Sequence, residues 1–326
     1  MFVGIVFCSL LVVLWSSAAR SDEIDGPFSI TNKNPFIAIY GVTRHRGVDV
    51  LDAKVAESKI GFNVNSNYER HINESGDSII LDGETEVWDL TYLRGLGAGW
   101  EAGISVPLLK HSGGYLDRSI VRWHDWFGMP QGGRDLALND QLNYAVTLGQ
   151  SDPIALTNRE RGIGDVVVFV GKALSSDLTM RSELKLPSGK TDRLMGSGGA
   201  DINVSLDYRR QLTNAWNWGG RLSLAYLGDN DIGLKNQNVI AAISSHLAYR
   251  IKPRLALKLQ WDLNTRAYKD IQLEPLNQIG GVLSFGGTIK LTNRDRLDLI
   301  FLENVPNGEA APDFGFKMEL SRRMSP

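Results

Sequence analysis

The chain has 326 residues, of which 35 are basic and 37 acidic, for a formal net charge of −2. That balance excludes the basic face a nucleic-acid partner requires, and a single cysteine, Cys8, excludes a disulfide framework. A soluble chain this long commonly makes two domains, with single β-barrels the exception; the 34 glycines fit many turns and curved strands.

Residues 1–21 read as a secretory signal peptide. Phe2 to Trp15 is almost uninterruptedly apolar, and Ser16, Ser17, Ala18 and Ala19 supply the small residues of a cleavage site. The run is too short for a spanning helix, and no later run approaches the ~20 residues that one needs. Cys8 lies inside this run, so the mature chain has no thiol chemistry. Residues 22–57 are mixed and polar, and read as a periplasmic lead-in.

From Ser58 onward apolar residues recur at every second position, the period of a strand with one apolar face. Ile202, Val204, Leu206 and Tyr208 alternate with Asn203, Ser205, Asp207 and Arg209; Leu255, Leu257, Leu259, Trp261 and Leu263 alternate with Lys258, Gln260 and Asp262. The pattern predicts strands near 58–69, 84–94, 98–109, 163–174, 178–187, 201–211, 216–227, 238–251, 254–265, 277–291, 295–303 and 313–322. Short links near 96–98, 175–177, 213–215, 252–253 and 292–294 alternate with longer ones. About a dozen strands make a barrel too wide to fill with apolar side chains. Runs of ~9–11 residues match tilted spanning strands. Tyr92, Trp100, Tyr208, Trp216, Trp218 and Tyr249 flank the short links, with Tyr226 and Trp261 near the long ones, as in two aromatic girdles. The expectation is an all-β fold, a transmembrane antiparallel barrel of about 12 strands over residues 58–326, its apolar face outward. Short links then face the periplasm and long ones the exterior.

Residues 110–162 break the rhythm. The strand-like stretch 141–149 would make thirteen spans and reverse the sidedness of every later turn. It is therefore expected to stay on the external side, within one long loop that plugs or caps the mouth. A short helix is expected from about Leu116 to Phe127, ended by Gly128 and Pro130. His111, Asp117, Trp123, His124, Asp125, Trp126 and Arg134 are the residues expected to form the plug or to touch a ligand; the His and Asp spacings match no standard metal site.

The segment Lys110 to Asp135, which contains WHDWFGMPQGGR, resembles a family of bacterial outer-membrane barrels defined as a domain of unknown function. GPF and NPF near the N-terminus and LDGET at 81–85 share in the resemblance, which spans nearly the whole mature chain. A looser similarity, through Gly162-Ile163-Gly164-Asp165, Leu186-Pro187-Ser188-Gly189 and Gly196-Ser197-Gly198, is to barrels encoded beside aromatic-degradation pathways, which implies passage of hydrophobic compounds. Neither group supplies a catalytic residue. The chain departs from outer-membrane barrels that end on an aromatic residue, since Arg322-Arg323-Met324-Ser325-Pro326 follows the last strand.

Other signals are weaker. Ser188-Gly189-Lys190-Thr191 resembles the end of a phosphate loop, but Leu184 stands where that motif needs glycine. Ser244 and His246 share the inward face of one strand, with Asp207 and Asp262 on others, which is the raw material of a Ser-His hydrolase. Arg181, Glu183, Lys185, Asp207, Arg209, Arg221, His246, Lys258 and Asp262 all fall on inward faces. Their mixed signs point to a paired, largely occluded lumen, whereas a selective pore shows one sign. The reading is an outer-membrane channel or transporter for a small molecule, gated by loop 110–162. It needs no cofactor, metal or catalytic residue; its partners are outer-membrane lipid, the assembly machinery and a small-molecule substrate. The alternatives are a lipid- or peptide-acting hydrolase and a structural barrel.

Overall fold

The computed structural model describes residues 23–42, 44–128, 131–305 and 310–325. The expected signal peptide, with Cys8, and Pro130 lie outside these. In chain order the strands are β1 (Ala56–Ile72), β2 (Ser78–Gly97), β3 (Trp100–Ser112), β4 (Asn143–Thr147), β5 (Ile154–Leu156), β6 (Glu160–Ile163), β7 (Val166–Ala173), β8 (Leu178–Leu186), β9 (Asp201–Gln211), β10 (Trp216–Tyr226), β11 (Val239–Lys252), β12 (Leu255–Asn264), β13 (Gly280–Lys290), β14 (Asp295–Asn304) and β15 (Phe314–Met324). Among the described residues two α-helices, α1 (Asp117–Phe127) and α2 (Glu274–Asn277), lie between them.

Twelve strands, β1 to β3 and β7 to β15, form a closed antiparallel barrel. Each pairs with the next, and β15 closes on β1 from Ala56–Met324 to Ser66–Phe314. Closure satisfies the backbone donors and acceptors of every wall strand, the condition for crossing lipid with strands. The wall follows the expected alternation, with the dressing of a water-soluble protein reversed. On β10, Leu222 is 60% exposed while its neighbour Arg221 is 4% exposed. The same alternation holds on β9, where Ile202, Val204, Leu206 and Tyr208 are exposed and Asp201, Asn203, Ser205 and Asp207 buried. Large apolar side chains outward and polar ones inward make sense only with lipid as the outer solvent. Aromatic pairs at the short-turn end, Trp216 with Tyr249 and Tyr208 with Trp218, mark one girdle.

The stretch 141–149 does not span. Its β4 pairs with the outer end of β2, from Ser78–Thr147 to Asp82–Asn143, β5 pairs with β4, and β6 pairs with the outer end of β3. All three raise the rim at the long-loop end.

Residues 22–57 are not a lead-in outside the barrel. Residues 24–42 and 44–51 lie inside it, and 52–55 form its exit at the short-turn rim. The segment starts at the short-turn end, where Asp25 meets Asn217 of β10 and Arg250 of β11. It runs up the lumen to a turn over residues 34–40 at the long-loop end, where the Phe36 carbonyl accepts from Tyr268 Oη at 2.6 Å. It then returns to the short-turn end, where the Gly95 and Val55 backbones bond before β1 begins. The reason is chemical complementarity: a wall lined with charge needs backbone and side-chain partners, and Phe28, Ile30, Phe36, Ile37, Ile39 and Tyr40 need burial that water does not give.

The long-loop mouth is closed by an apolar core. Phe36, Ile39 and Tyr40 of the hairpin tip pack with Ile79 and Leu81 of β2, Tyr144 and Val146 of β4, and Leu194, Leu234, Tyr268 and Leu273 of the long loops.

Candidate functional site

The wall presents alternating charge, and the hairpin answers it along its whole length. On the ascending leg Gln260 acts like a strand neighbour. Its Oε1 accepts from Phe28 N at 2.7 Å, and its Nε2 donates to Phe28 O at 3.0 Å. Lys258 Nζ donates to Gly26 O at 2.8 Å and Lys317 Nζ to Ser29 O at 2.6 Å. At the tip Asp201 accepts from Gly41 N at 2.8 Å, and Lys185 donates to Ile39 O at 3.1 Å. On the descending leg Arg44 pairs with Asp89 at 2.6 Å, Arg46 with Glu183 at 3.2 Å, and Asp49 with Arg209 at 2.9 Å.

Arg181 is the hub of this leg. It pairs with Glu101 and Asp207, each at 3.0 Å, and donates to the Gly47 and Asp49 carbonyls. A guanidinium has five donors in a fixed fork, so one buried arginine can bind two carboxylates and two carbonyls together. Within the wall, Lys185 also pairs with Asp165 at 2.6 Å and Lys258 with Asp298 at 3.3 Å. Arg181, Glu183, Lys185, Asp207, Arg221, His246 and Lys258 are buried, while Arg209 and Asp262 are half-buried.

The expected Ser244, His246 and Asp207 do meet, with a different histidine between them. Ser244 Oγ lies 3.0 Å from Nδ1 of His45, a hairpin residue, and His45 Nε2 lies 3.2 Å from Asp207 Oδ1. His246 packs edge-on against His45, ring centroids 5.2 Å apart. Hydroxyl, imidazole and carboxylate stand in the order of a nucleophilic triad, but the His45–Asp207 contact lacks hydrogen-bond alignment. The cavity beside Ser244 measures about 20 Å³, room for about one water. No acyl group reaches the hydroxyl in this state. Arg221, in the same cavity, has Nε and Nη2 without hydrogen-bond partners among the described residues.

Besides an open groove at the short-turn rim beside residues 48–53, two enclosed cavities flank the hairpin. One, about 80 Å³, lies between the descending leg and the wall of β2, β3, β7 and β8, lined by Lys33, Tyr40, Arg44, Val87, His111 and Met195 among others. The other, about 70 Å³, lies toward the short-turn end beside His45 and Arg181. Each has room for a few waters. Neither is a continuous pore.

The long loop does not plug the mouth as a unit. Its first part, with α1, packs against the outward face of the wall. Outward residues Ser66 and Tyr68 of β1, Asp82 and Glu84 of β2, and Ser112 of β3 are buried beneath it. Glu84 accepts the backbone N–H groups of Tyr115 and Leu116, at 2.8 and 2.5 Å, where α1 begins. A carboxylate at a helix N-terminus satisfies orphan donors and the helix dipole together. Arg134 then staples the loop down. It pairs with Asp117 and, at 2.7 Å, with Asp313, and lies 5.0 Å from the Tyr68 ring centroid. Burial pushes the Asp313 carboxyl above its ordinary range, against the pull of Arg134.

The other loop residues are dispersed. His111 points inward, Nδ1 2.9 Å from Thr85 Oγ1 and Nε2 3.3 Å from Leu194 O, with Tyr144 edge-on. Asp125 accepts from Gln131. Trp123 and Trp126 are 47% and 79% exposed and His124 is half-buried, so the Trp-His-Asp-Trp run does not pack its indoles on the mouth. Among the described residues no cluster of His, Cys, Asp and Glu suits a metal. The hairpin residues Asp25, Arg44, His45, Arg46 and Asp49 were missed. The available signal was Phe28, Ile30, Phe36, Ile37, Ile39 and Tyr40, too apolar a set for a water-exposed leader.

No curated protein matches the chain. Among solved structures it is similar to the NanC porin, with a TM-score of 0.43 at 11% identity over 83% of this chain and 99% of that one. It is also similar to the toluene transporter TbuX of Ralstonia pickettii, with a TM-score of 0.41 at 8% identity over 84% and 90%. The toluene transporter TodX of P. putida gives 0.43 at 10% identity over 83% and 90%. These are distant likenesses of barrel shape. The family model described as "Protein of unknown function (DUF3187)" covers residues 2–324, hairpin, wall and outer loop alike, and the chain belongs to that family.

Proposed function

We propose that the protein is a passive channel of the bacterial outer membrane, held shut by residues 24–55 and opened to a small molecule when that hairpin shifts or withdraws. One observation carries the reading: the hairpin enters and leaves the lumen by the same, short-turn end. It can therefore slide out toward that side without threading through anything and without breaking the wall. The polar contacts of its two legs are ion pairs and hydrogen bonds, which water can replace group for group, while Phe28, Ile30, Phe36, Ile39 and Tyr40 give up apolar packing when it moves. Loop 110–162 enters this reading as part of the lid. Tyr144, Val146 and Leu156 belong to the apolar core at the mouth, which must loosen when the tip leaves.

Conductance in planar bilayers tests this. The full chain is expected to show a small, mostly closed conductance. Deleting residues 26–51 joins two points at the same end of the barrel, and is expected to give a large, steady conductance. A deletion variant that folds, shown by heat-modifiable gel migration, yet passes no current would overturn the proposal.

A further inference from the structure

Helix α1 leaves one side uncovered. Asp117 and Ile120 are buried and Val121 and His124 half-buried, so one face of the helix meets the barrel. One flank and the far side carry Phe127, Trp123 and Trp126, exposed by 62%, 47% and 79%, with Trp123 and Phe127 in ring contact at 4.4 Å. The other flank carries exposed Arg118, Arg122 and Asp125, and Asp125 is engaged by Gln131 at 2.7 Å. The chain around the helix adds Tyr115, Leu136 and Leu138, all exposed.

The position of this surface decides its partner. It lies outside the wall, not over the lumen, because the residues beneath it are outward ones. On β2 the outward row reads, from the short-turn end, Tyr92, Leu90, Trp88, then Glu86 and Glu84. The first three are exposed, and Glu84 is buried under the start of α1. Four residues of strand, about 13 Å along its axis, separate Trp88 from Glu84. With the usual tilt that is about 10 Å of height, which carries α1 from the edge of the apolar belt into the headgroup zone. Glu86 and Lys110, paired at 2.5 Å on that wall, mark the same polar boundary.

We infer that α1 and its flanking loop form an interfacial anchor that lies in the outer leaflet, its aromatic side among the upper acyl chains and Arg118 and Arg122 against lipid phosphates. A lipid surface is the occupant because the patch continues the lipid-facing belt. Indole and phenyl rings next to arginines match the two layers they would meet, apolar below and anionic above. This rests on the membrane-spanning reading of the barrel.

Site-directed spin labels test it on the chain with Cys8→Ser, refolded into phosphatidylcholine vesicles. Labels are placed one at a time at Trp126→Cys and Phe127→Cys, with Leu222→Cys as the belt reference and Ser151→Cys as the water reference. The ratio of oxygen to nickel-chelate accessibility at 126 and 127 is expected to be severalfold above that at 151. A ratio at 126 and 127 equal to that at 151, with 222 deep in lipid, overturns the anchor and leaves the barrel reading standing. A water-like 222 removes both. For the charge contacts, the double variant Arg118→Gln with Arg122→Gln is expected to lower the ratio at 126 in vesicles containing phosphatidylglycerol. No change there overturns the role given to the arginines.

Discussion

At the scale of residues, the fold depends on a few buried groups that hold several partners each. Arg181 is the clearest, 2% exposed, between two carboxylates and two hairpin carbonyls. Arg181→Ala leaves Glu101 and Asp207 buried without their cation, a change that costs about 3–5 kcal/mol in comparable sites. Urea unfolding in detergent is expected to show that loss, and limited proteolysis to cut near residues 47–52 faster than in the parent. Close packing can be probed at two glycines. A Cβ on Gly95 would stand 2.0 Å from the Asp52 carbonyl where the hairpin leaves the lumen, whereas one on Gly220 would meet the Trp218 ring at 3.4 Å and the Ser244 carbonyl at 3.6 Å, both ordinary contacts. Gly95→Ala is therefore expected to reduce the folded, heat-modifiable fraction, and Gly220→Ala to leave it near that of the parent.

At the scale of elements, the hairpin and the outer loop make different predictions about gating. The tip can be tethered. A Cβ on Gly41 lies 3.0 Å from Asp201 Cβ, near the ~3.5–4.5 Å of a disulfide, and Cys8 is the chain's only native cysteine. Gly41→Cys with Asp201→Cys is expected to abolish channel openings until a reductant is added; openings that persist when oxidised would show that the hairpin tip need not move. Arg134→Ala, in contrast, is expected to free residues 113–142 from the outer wall, read as faster proteolysis there, while conductance stays unchanged. The difference tracks what was legible in the sequence. The wall strands were, because inward polar and outward apolar residues keep a strict period of two, as in Asp201 to Tyr208. The α1 helix was legible from its spacing and Gly128, whose φ of 65° ends it in the left-handed region. The hairpin was not, because residues 24–55 have no period: their burial is dictated by Arg181, Gln260 and Lys317, more than a hundred positions away in the chain. Nor was the side on which α1 docks, since Trp123 and Trp126 suit a mouth or a lipid surface equally, and only Glu84's outward parity decides.

At the scale of the molecule, the barrel has a polar, nearly solid interior and an apolar exterior. Stability comes from the closed backbone ladder and a charge-paired filling. The full chain is expected to migrate differently on gels before and after boiling, and to do so only in fractions that hold membrane or detergent.

The pairing of β1 with β15 also governs how the fold is reached. Until the final strand arrives, β1 and β14 are open edges with unpaired backbone groups, the condition that invites other chains to add on. The contact that removes both edges joins regions far apart in sequence, which makes it entropically slow. The clasp is therefore the step at which folding and aggregation compete. Deleting residues 314–325 is expected to yield chains that associate with one another and never become heat-modifiable, even though every residue of the hairpin remains.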